Sequence, residues 1–282
     1  MPAARAFALT LLAMLAFAGN SLLCRMALRH TGIDAGSFTA IRILSGAVAL
    51  WLIVRWRHGP QALSGSWRSA LALFAYAAAF SFSYLSLTAA TGALLLFGAV
   101  QATMIGYGLR QGERLKGRQV AGMALALAGL VGLLLPGLSA PPWQGSLLMI
   151  AAGVAWGIYT LRGKGAGDPL RVTAGNFLRA VVPAAVLLVA VLPWVSLDRS
   201  GSVYAVASGA LASGVGYAIW YTALPALKVT SAATAQLSVP VIAAAGGVLF
   251  LGESLTPRLI MASAAVLGGI ALVVLGKRSS GG

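Results

Sequence analysis

The chain has 282 residues, of which 59% are hydrophobic and 9% charged, with a formal net charge of +15 and a single cysteine. Soluble globular chains carry about 25% charged residues, so a mean hydropathy of +0.89 excludes a water-soluble fold, and the lone Cys24 excludes an intrachain disulfide. A strong positive charge is also the footprint of nucleic-acid binding, but here the positions of the cations give a different account, and no nucleic-acid partner is expected.

A hydrocarbon core about 30 Å thick needs roughly 20 helical residues. Ten apolar stretches of that length follow one another, near 5–25, 34–54, 68–88, 91–110, 117–137, 143–162, 172–194, 202–224, 229–251 and 257–276. The first carries Asn20 and Ser21; Arg5 and the Ala16-Phe17-Ala18 run also fit a cleaved secretory signal, against which stands an apolar pattern continuing through Leu23. Arg42 lies about eight residues into the second span. Tyr76, Phe80, Ser83 and Tyr84 share one face of the third, and Gln101 sits near the centre of the fourth. In the fifth and tenth, Gly122 to Gly132 and Ala262 to Gly269 read as small-residue packing faces. The sixth carries Trp156 and Tyr159, the seventh Arg179, and the eighth Tyr217, Trp220 and Tyr221 on one face. The ninth holds Gln236, Ser238 and Pro240, where the missing N–H frees a carbonyl. Trp51, Trp56, Trp67, Trp143 and Trp194 fall near span ends and read as interfacial anchors.

Fourteen cations fall on the side of the N-terminus, among them Arg55, Arg57, Arg110, Arg114, Lys116, Arg118, Arg162, Lys164, Lys228 and Lys277, whereas Arg25, Arg29, Arg199 and Arg258 are the four opposite. That bias places both termini in the cytoplasm.

The chain also repeats itself. Gly112-Glu113 after the fourth span matches Gly252-Glu253 after the ninth, an offset of 140. Gly19 pairs with Gly157, Arg42 with Arg179, and Tyr84-Leu85-Ser86-Leu87 with Tyr221-Thr222-Ala223-Leu224 at similar offsets. An odd number of spans per repeat turns the second copy upside down, a common construction of secondary transporters. The expected fold is therefore an all-α membrane protein of ten transmembrane helices, arranged as two inverted five-helix repeats (1–137 and 138–278) around a central cavity, with a tail at 279–282.

Two five-span units, each ending in a Gly-Glu turn and a small-residue span, resemble the EamA family of the drug/metabolite transporter superfamily, and the resemblance covers nearly the whole chain. In style the chain is most similar to the aromatic amino-acid exporter branch. The resemblance implies a basket whose cavity is walled by the first, third, fourth, sixth, eighth and ninth spans, and export of amino acids or other small metabolites.

On those spans the candidate substrate-binding residues are Asn20, Tyr76, Phe80, Ser83, Tyr84, Gln101, Trp156, Tyr159, Tyr217, Trp220, Tyr221, Gln236 and Ser238. Ordinary helix packing and interhelical hydrogen bonding stand beside that reading for each. An offset of 137 superposes Phe80 on Tyr217 and Tyr84 on Tyr221, giving paired aromatic walls. Arg42 and Arg179 have two readings: an interfacial side chain or partner of helix-end carbonyls, or a guanidinium that attracts a substrate carboxylate. Their spans are expected outside the cavity wall, which favours the first. Glu113 and Glu253 are expected to cap the next helix or to pair with nearby cations.

None of Asp34, Glu113, Asp168, Asp198 and Glu253 lies in the middle of a span, and the first span lacks the glutamate used by the small multidrug pumps of the superfamily. Uncoupled export by alternating access is therefore expected. Proton-driven multidrug export is the first alternative. An intramembrane enzyme is the second, and it lacks an intramembrane His, Asp or Glu. No metal or cofactor is expected, the partners are a small-molecule substrate and the lipid bilayer, and the oligomeric state is open.

Overall fold

The computed structural model describes residues 1–59, 63–112, 116–137, 140–163, 166–227 and 235–276, all helix, turn or loop. Glu113, Arg114, Lys164, Lys228, Lys277, Arg278, the beginning of the ninth stretch and the 279–282 tail lie outside them. The helices are α1 (Ala3–His30), α2 (Ala35–His58), α3 (Trp67–Ser83), α4 (Ala89–Arg110), α5 (Gly117–Leu134), α6 (Trp143–Gly163) and α7 (Pro169–Ala190). Next comes α8 (Arg199–Ala226), whose Ala207–Val215 stretch is a π-helix and whose last turn is 3-10. Two further helices, α9 (Ser238–Leu251) and α10 (Pro257–Gly276), complete the order.

Local chemistry fixes several of these boundaries. Ser66 and Thr88 accept from the amides three residues on and so cap α3 and α4. Asp34, Asp168 and Asp198 do the same for α2, α7 and α8.

Eight of the described helices are long and apolar enough to cross a membrane; α3, with 17 residues, and α9, with 14, fall short of that length. The expected third span runs to 88, but the chain turns after Ser83, where the Tyr84 amide donates to the Phe80 and Ser81 carbonyls. In the ninth, helix at 235–236 is interrupted at Leu237 and resumes at Ser238. Pro240 has no N–H to return to the Gln236 carbonyl, which accounts for the interruption.

The most extensive contacts between α1–α5 and α6–α10 come in matched sets. Helix α5 packs on α10, α2 on α7 and α4 on α9; α3 meets α6 as α8 meets α1, α4 meets α6 as α9 meets α1, and α3 meets α7 as α8 meets α2. Exchanging the first five helices for the last five leaves this set unchanged. The two small-residue faces read from the sequence turn out to pack on each other: a Cβ on Gly122 would stand 2.6 Å from the Gly269 carbonyl oxygen.

The most buried element is α4, whose residues from Ala89 to Gln101 are all buried. The outer surface is apolar, with Phe7, Leu44, Leu147, Val186, Val189, Leu249 and Phe250 exposed. Water would not tolerate such a surface and lipid does. All five predicted anchor tryptophans are exposed, Trp56 most at 85%.

Candidate functional site

Where α1, α2, α3, α6, α7 and α8 converge, their aromatic and polar side chains form one connected cluster. Helical spacing stacks Tyr76 and Phe80 on one face of α3, with ring centroids 5.4 Å apart. Tyr76 also meets Trp156 of α6 at 4.8 Å. The indole lies nearly parallel to Tyr217 of α8, at 5.5 Å and 18°, and stacks on Tyr159 at 5.2 Å. Tyr217 continues to Tyr221, and Phe17 of α1 closes against Tyr217 at 5.7 Å and Trp220 at 6.0 Å. The two aromatic stripes read from the sequence thus face each other with Trp156 between them.

The polar groups within this cluster are ordered. The Ser208 hydroxyl donates to Asn20 Oδ1 at 2.6 Å, Asn20 Nδ2 donates to the Tyr76 hydroxyl at 3.2 Å, and Arg42 Nη2 donates to the same hydroxyl at 3.0 Å. Farther along, the Tyr159 hydroxyl donates to Thr173 Oγ1 at 3.4 Å, Thr173 donates to the Tyr221 hydroxyl at 3.3 Å, and Asn176 Nδ2 lies 3.5 Å from Tyr159. Ser208 belongs to the π-helical stretch. Such stretches often mark functional positions because they re-aim side chains.

Arg42 departs from the reading the sequence favoured. It is 2% exposed, its guanidinium lies 5.2 Å from the Tyr76 ring centroid and 4.8 Å from that of Phe80, and Nη1 has no partner. Arg179, its counterpart in the repeat, follows the carbonyl reading: Nη1 donates to Gly175 O at 2.9 Å and Ser64 O at 3.2 Å. The difference lies in what each guanidinium meets, a loop carbonyl for Arg179 and a tyrosine hydroxyl for Arg42.

The remaining candidates stand elsewhere. Ser83 donates to the Phe80 carbonyl in its own turn and lies 3.7 Å from Met149 Sδ of α6, and Ser238 donates to the Ala235 carbonyl. Tyr84 touches Phe80 edge-on, but its hydroxyl points to the Ala89 carbonyl at 3.5 Å. Gln101 is buried on α4 and Gln236 half-buried before α9, and no hydrogen bond among the described residues ties either to the cluster.

A second constellation ties α1, the start of α4 and the turn after α9 together. Arg25 Nε donates to Glu253 Oε1 at 3.1 Å, with the two side chains 7% and 3% exposed. Arg25 Nη1 donates to the Tyr84 carbonyl at 2.7 Å, and the Ala89 amide donates to Glu253 Oε2 at 2.8 Å. Glu253 therefore pairs with a cation as expected, but it complements the first turn of α4 rather than capping α10. Thr256 takes that role through the Leu259 amide.

Comparison with known proteins accords with these features. A model of the EamA-like transporter family matches residues 143–275. An uncharacterized protein of Pseudomonas aeruginosa is 60% identical over 275 residues, 97% of this chain and 96% of that one. The threonine/homoserine exporter RhtA of Escherichia coli K12 is 33% identical over 129 residues, 44% of this chain and 42% of its own length. The chain belongs to the EamA family. A solved structure sharing 21% sequence identity has the same fold, with a TM-score of 0.68 over 98% of this chain and 99% of that one.

As an EamA-like transporter the protein is an integral membrane protein that moves a small molecule rather than an enzyme. The sequence reading missed Phe17, Thr173, Asn176 and Ser208 as members of the cluster. Phe17 lay within the signal-like run, and the other three are small or polar residues whose role comes from a partner on another helix. The one signal available was position: Thr173 and Asn176 follow the α7 cap by five and eight residues, so they share a face.

Proposed function

We propose that the protein exports amino acids or similar small metabolites across the bacterial inner membrane by alternating access. In this reading residues 1–137 and 138–278 are oppositely inserted repeats, both termini are cytoplasmic, and export runs down the substrate gradient without proton coupling. The observation that carries it is the Trp156-centred cluster, built from helices of both repeats where they converge. The matched helix contacts and the cation bias support the inverted arrangement.

Relatives support the substrate class. Beside RhtA, a probable amino-acid metabolite efflux pump of Escherichia coli K12 is 28% identical over 182 residues, 59% of this chain and 61% of that one. The rings of Tyr76, Trp156 and Tyr217 favour a bulky apolar side chain, aromatic ones included. The Arg25–Glu253 pair closes one end of the bundle, the end that the cation bias puts away from the cytoplasm.

Proton coupling is the second reading, and Glu253 is what favours it. This carboxylate is buried, and a proton that replaced Arg25 as its partner would release the closure. The deciding experiment is flux of radiolabelled amino acids in proteoliposomes of purified protein. Flux on a substrate gradient alone, unchanged by an imposed pH gradient, is the expected result. Flux that collapses without a pH gradient would reject the uncoupled mechanism, and no flux of any amino acid would reject the substrate class.

A further inference from the structure

We propose that Arg42 Nη1 and the Tyr76 hydroxyl together bind a carboxylate, the α-carboxylate of the transported amino acid. This rests on the export reading above and adds to it the group by which substrate is held.

Arg42 is a buried cation without a counter-ion among the described residues. The four described acids are engaged elsewhere: Asp34 at the Ser37 and Ser196 amides, Asp168 at the Leu170 and Arg171 amides, Asp198 at the Gly201 amide, and Glu253 at Arg25 and Ala89. A buried guanidinium without a partner anion is costly, and an anionic ligand would remove that cost. The faces of Tyr76 and Phe80 lie beside the cation, but ring quadrupoles only partly replace a full negative charge.

Hydrogen-bond accounting identifies the donors. Asn20 Oδ1 accepts from Ser208, so the other end of its amide, Nδ2, is the donor directed at Tyr76. The Tyr76 oxygen thus accepts two hydrogen bonds, from Asn20 and from Arg42 Nη2. Both its lone pairs are then used, and its own proton has no acceptor among the described residues. Arg42 Nη1 is unpartnered as well. Two unspent donors sit side by side, one on the guanidinium and one on the hydroxyl that its other arm touches, a pair that suits the two oxygens of a carboxylate. Trp156, 4.8 Å from the Tyr76 ring, puts an apolar ring beside this pair.

The test compares free acids with their carboxamides, which keep the side chain and lose the charge. Uptake of radiolabelled threonine, homoserine and phenylalanine is measured in proteoliposomes, with each acid and its carboxamide as competitor. For the wild type the acid is expected to compete about tenfold or more better than the amide. R42Q and Tyr76→Phe are expected to reduce that ratio to near unity, while R42K keeps part of it. Equal competition by acid and amide in the wild type, or a ratio unchanged in Tyr76→Phe, overturns the proposal. If R42Q does not fold, Tyr76→Phe alone decides. If none of the three acids moves, the amino-acid reading falls, and the carboxylate site is then tested by melting temperature with benzoate against benzamide. Stabilisation by benzoate alone, lost in Tyr76→Phe, supports the site, and equal shifts refute it.

Discussion

Replacing Glu253 with alanine removes a buried carboxylate from between Arg25 and the first turn of α4. Both Arg25 Nε and the Ala89 amide lose their acceptor, while Arg25 keeps the Tyr84 carbonyl at 2.7 Å and the Leu85 carbonyl at 3.3 Å. Breaking one side of a buried pair costs about 3–5 kcal/mol. Because the retained carbonyls hold the guanidinium, the lower figure applies. Where that cost falls on the state closed at this end, about 3 kcal/mol shifts the balance towards the open state by roughly a hundredfold. Cys24 provides the readout, being the only cysteine, fully buried, and one residue before Arg25. A membrane-impermeant maleimide added outside intact cells is expected to label Glu253→Ala much faster than the wild type. Glu253→Gln, which retains an acceptor oxygen, is expected to fall between them. Equal labelling of Glu253→Ala and wild type would show that the pair does not hold this end shut. Rapid labelling of the wild type would show that the described closure is not its resting state.

Two further perturbations test the packing and one loop. Gly122→Ala would drive a methyl group against the Gly269 carbonyl and the Leu272 Cβ at 2.8 Å, whereas Gly132 has nothing within 4 Å. The first substitution is expected to lower stability by about 1–3 kcal/mol and the second by less than about 0.5, read as melting temperatures in detergent; equal effects would remove close packing as the cause. Asp34 is the N-cap just before α2, outside the apolar helix Ala35–Arg57, and its carboxyl is held below the ordinary value of 3.8. Burial acts against this and raises it, but hydrogen bonding at Ser37 and from the Ser196 amide outweighs burial. A depressed carboxyl stabilises the fold above its unfolded value and loses that contribution as pH falls through the folded value. The stability advantage of wild type over Asp34→Asn is therefore expected to be full at neutral pH and to fade below about pH 4. An advantage that persists at about pH 2 would refute the assignment.

The amino-acid sequence by itself determined that the chain lives in a membrane, where most of its helices lie, which faces are aromatic, and which spans carry small-residue packing faces. Each of these is a local property, since transfer into lipid is decided residue by residue and a helix face by spacing alone. The small-residue faces of α5 and α10 and the aromatic stripes of α3 and α8 are such patterns; that Gly122 meets Gly269, and that Trp156 stands between the stripes, came from the tertiary structure. Only the tertiary structure decided the direction of Arg42. The sequence gives Arg42 and Arg179 equivalent positions, yet one reaches a tyrosine hydroxyl on α3 and the other a carbonyl at Ser64. Only the tertiary structure, likewise, brought Arg25 to Glu253 across 228 positions, and placed Ser208 against Asn20 across 188. A polar group in a bundle takes its function from the partner it meets, and that partner is set by the rotation and register of helices far apart in the chain.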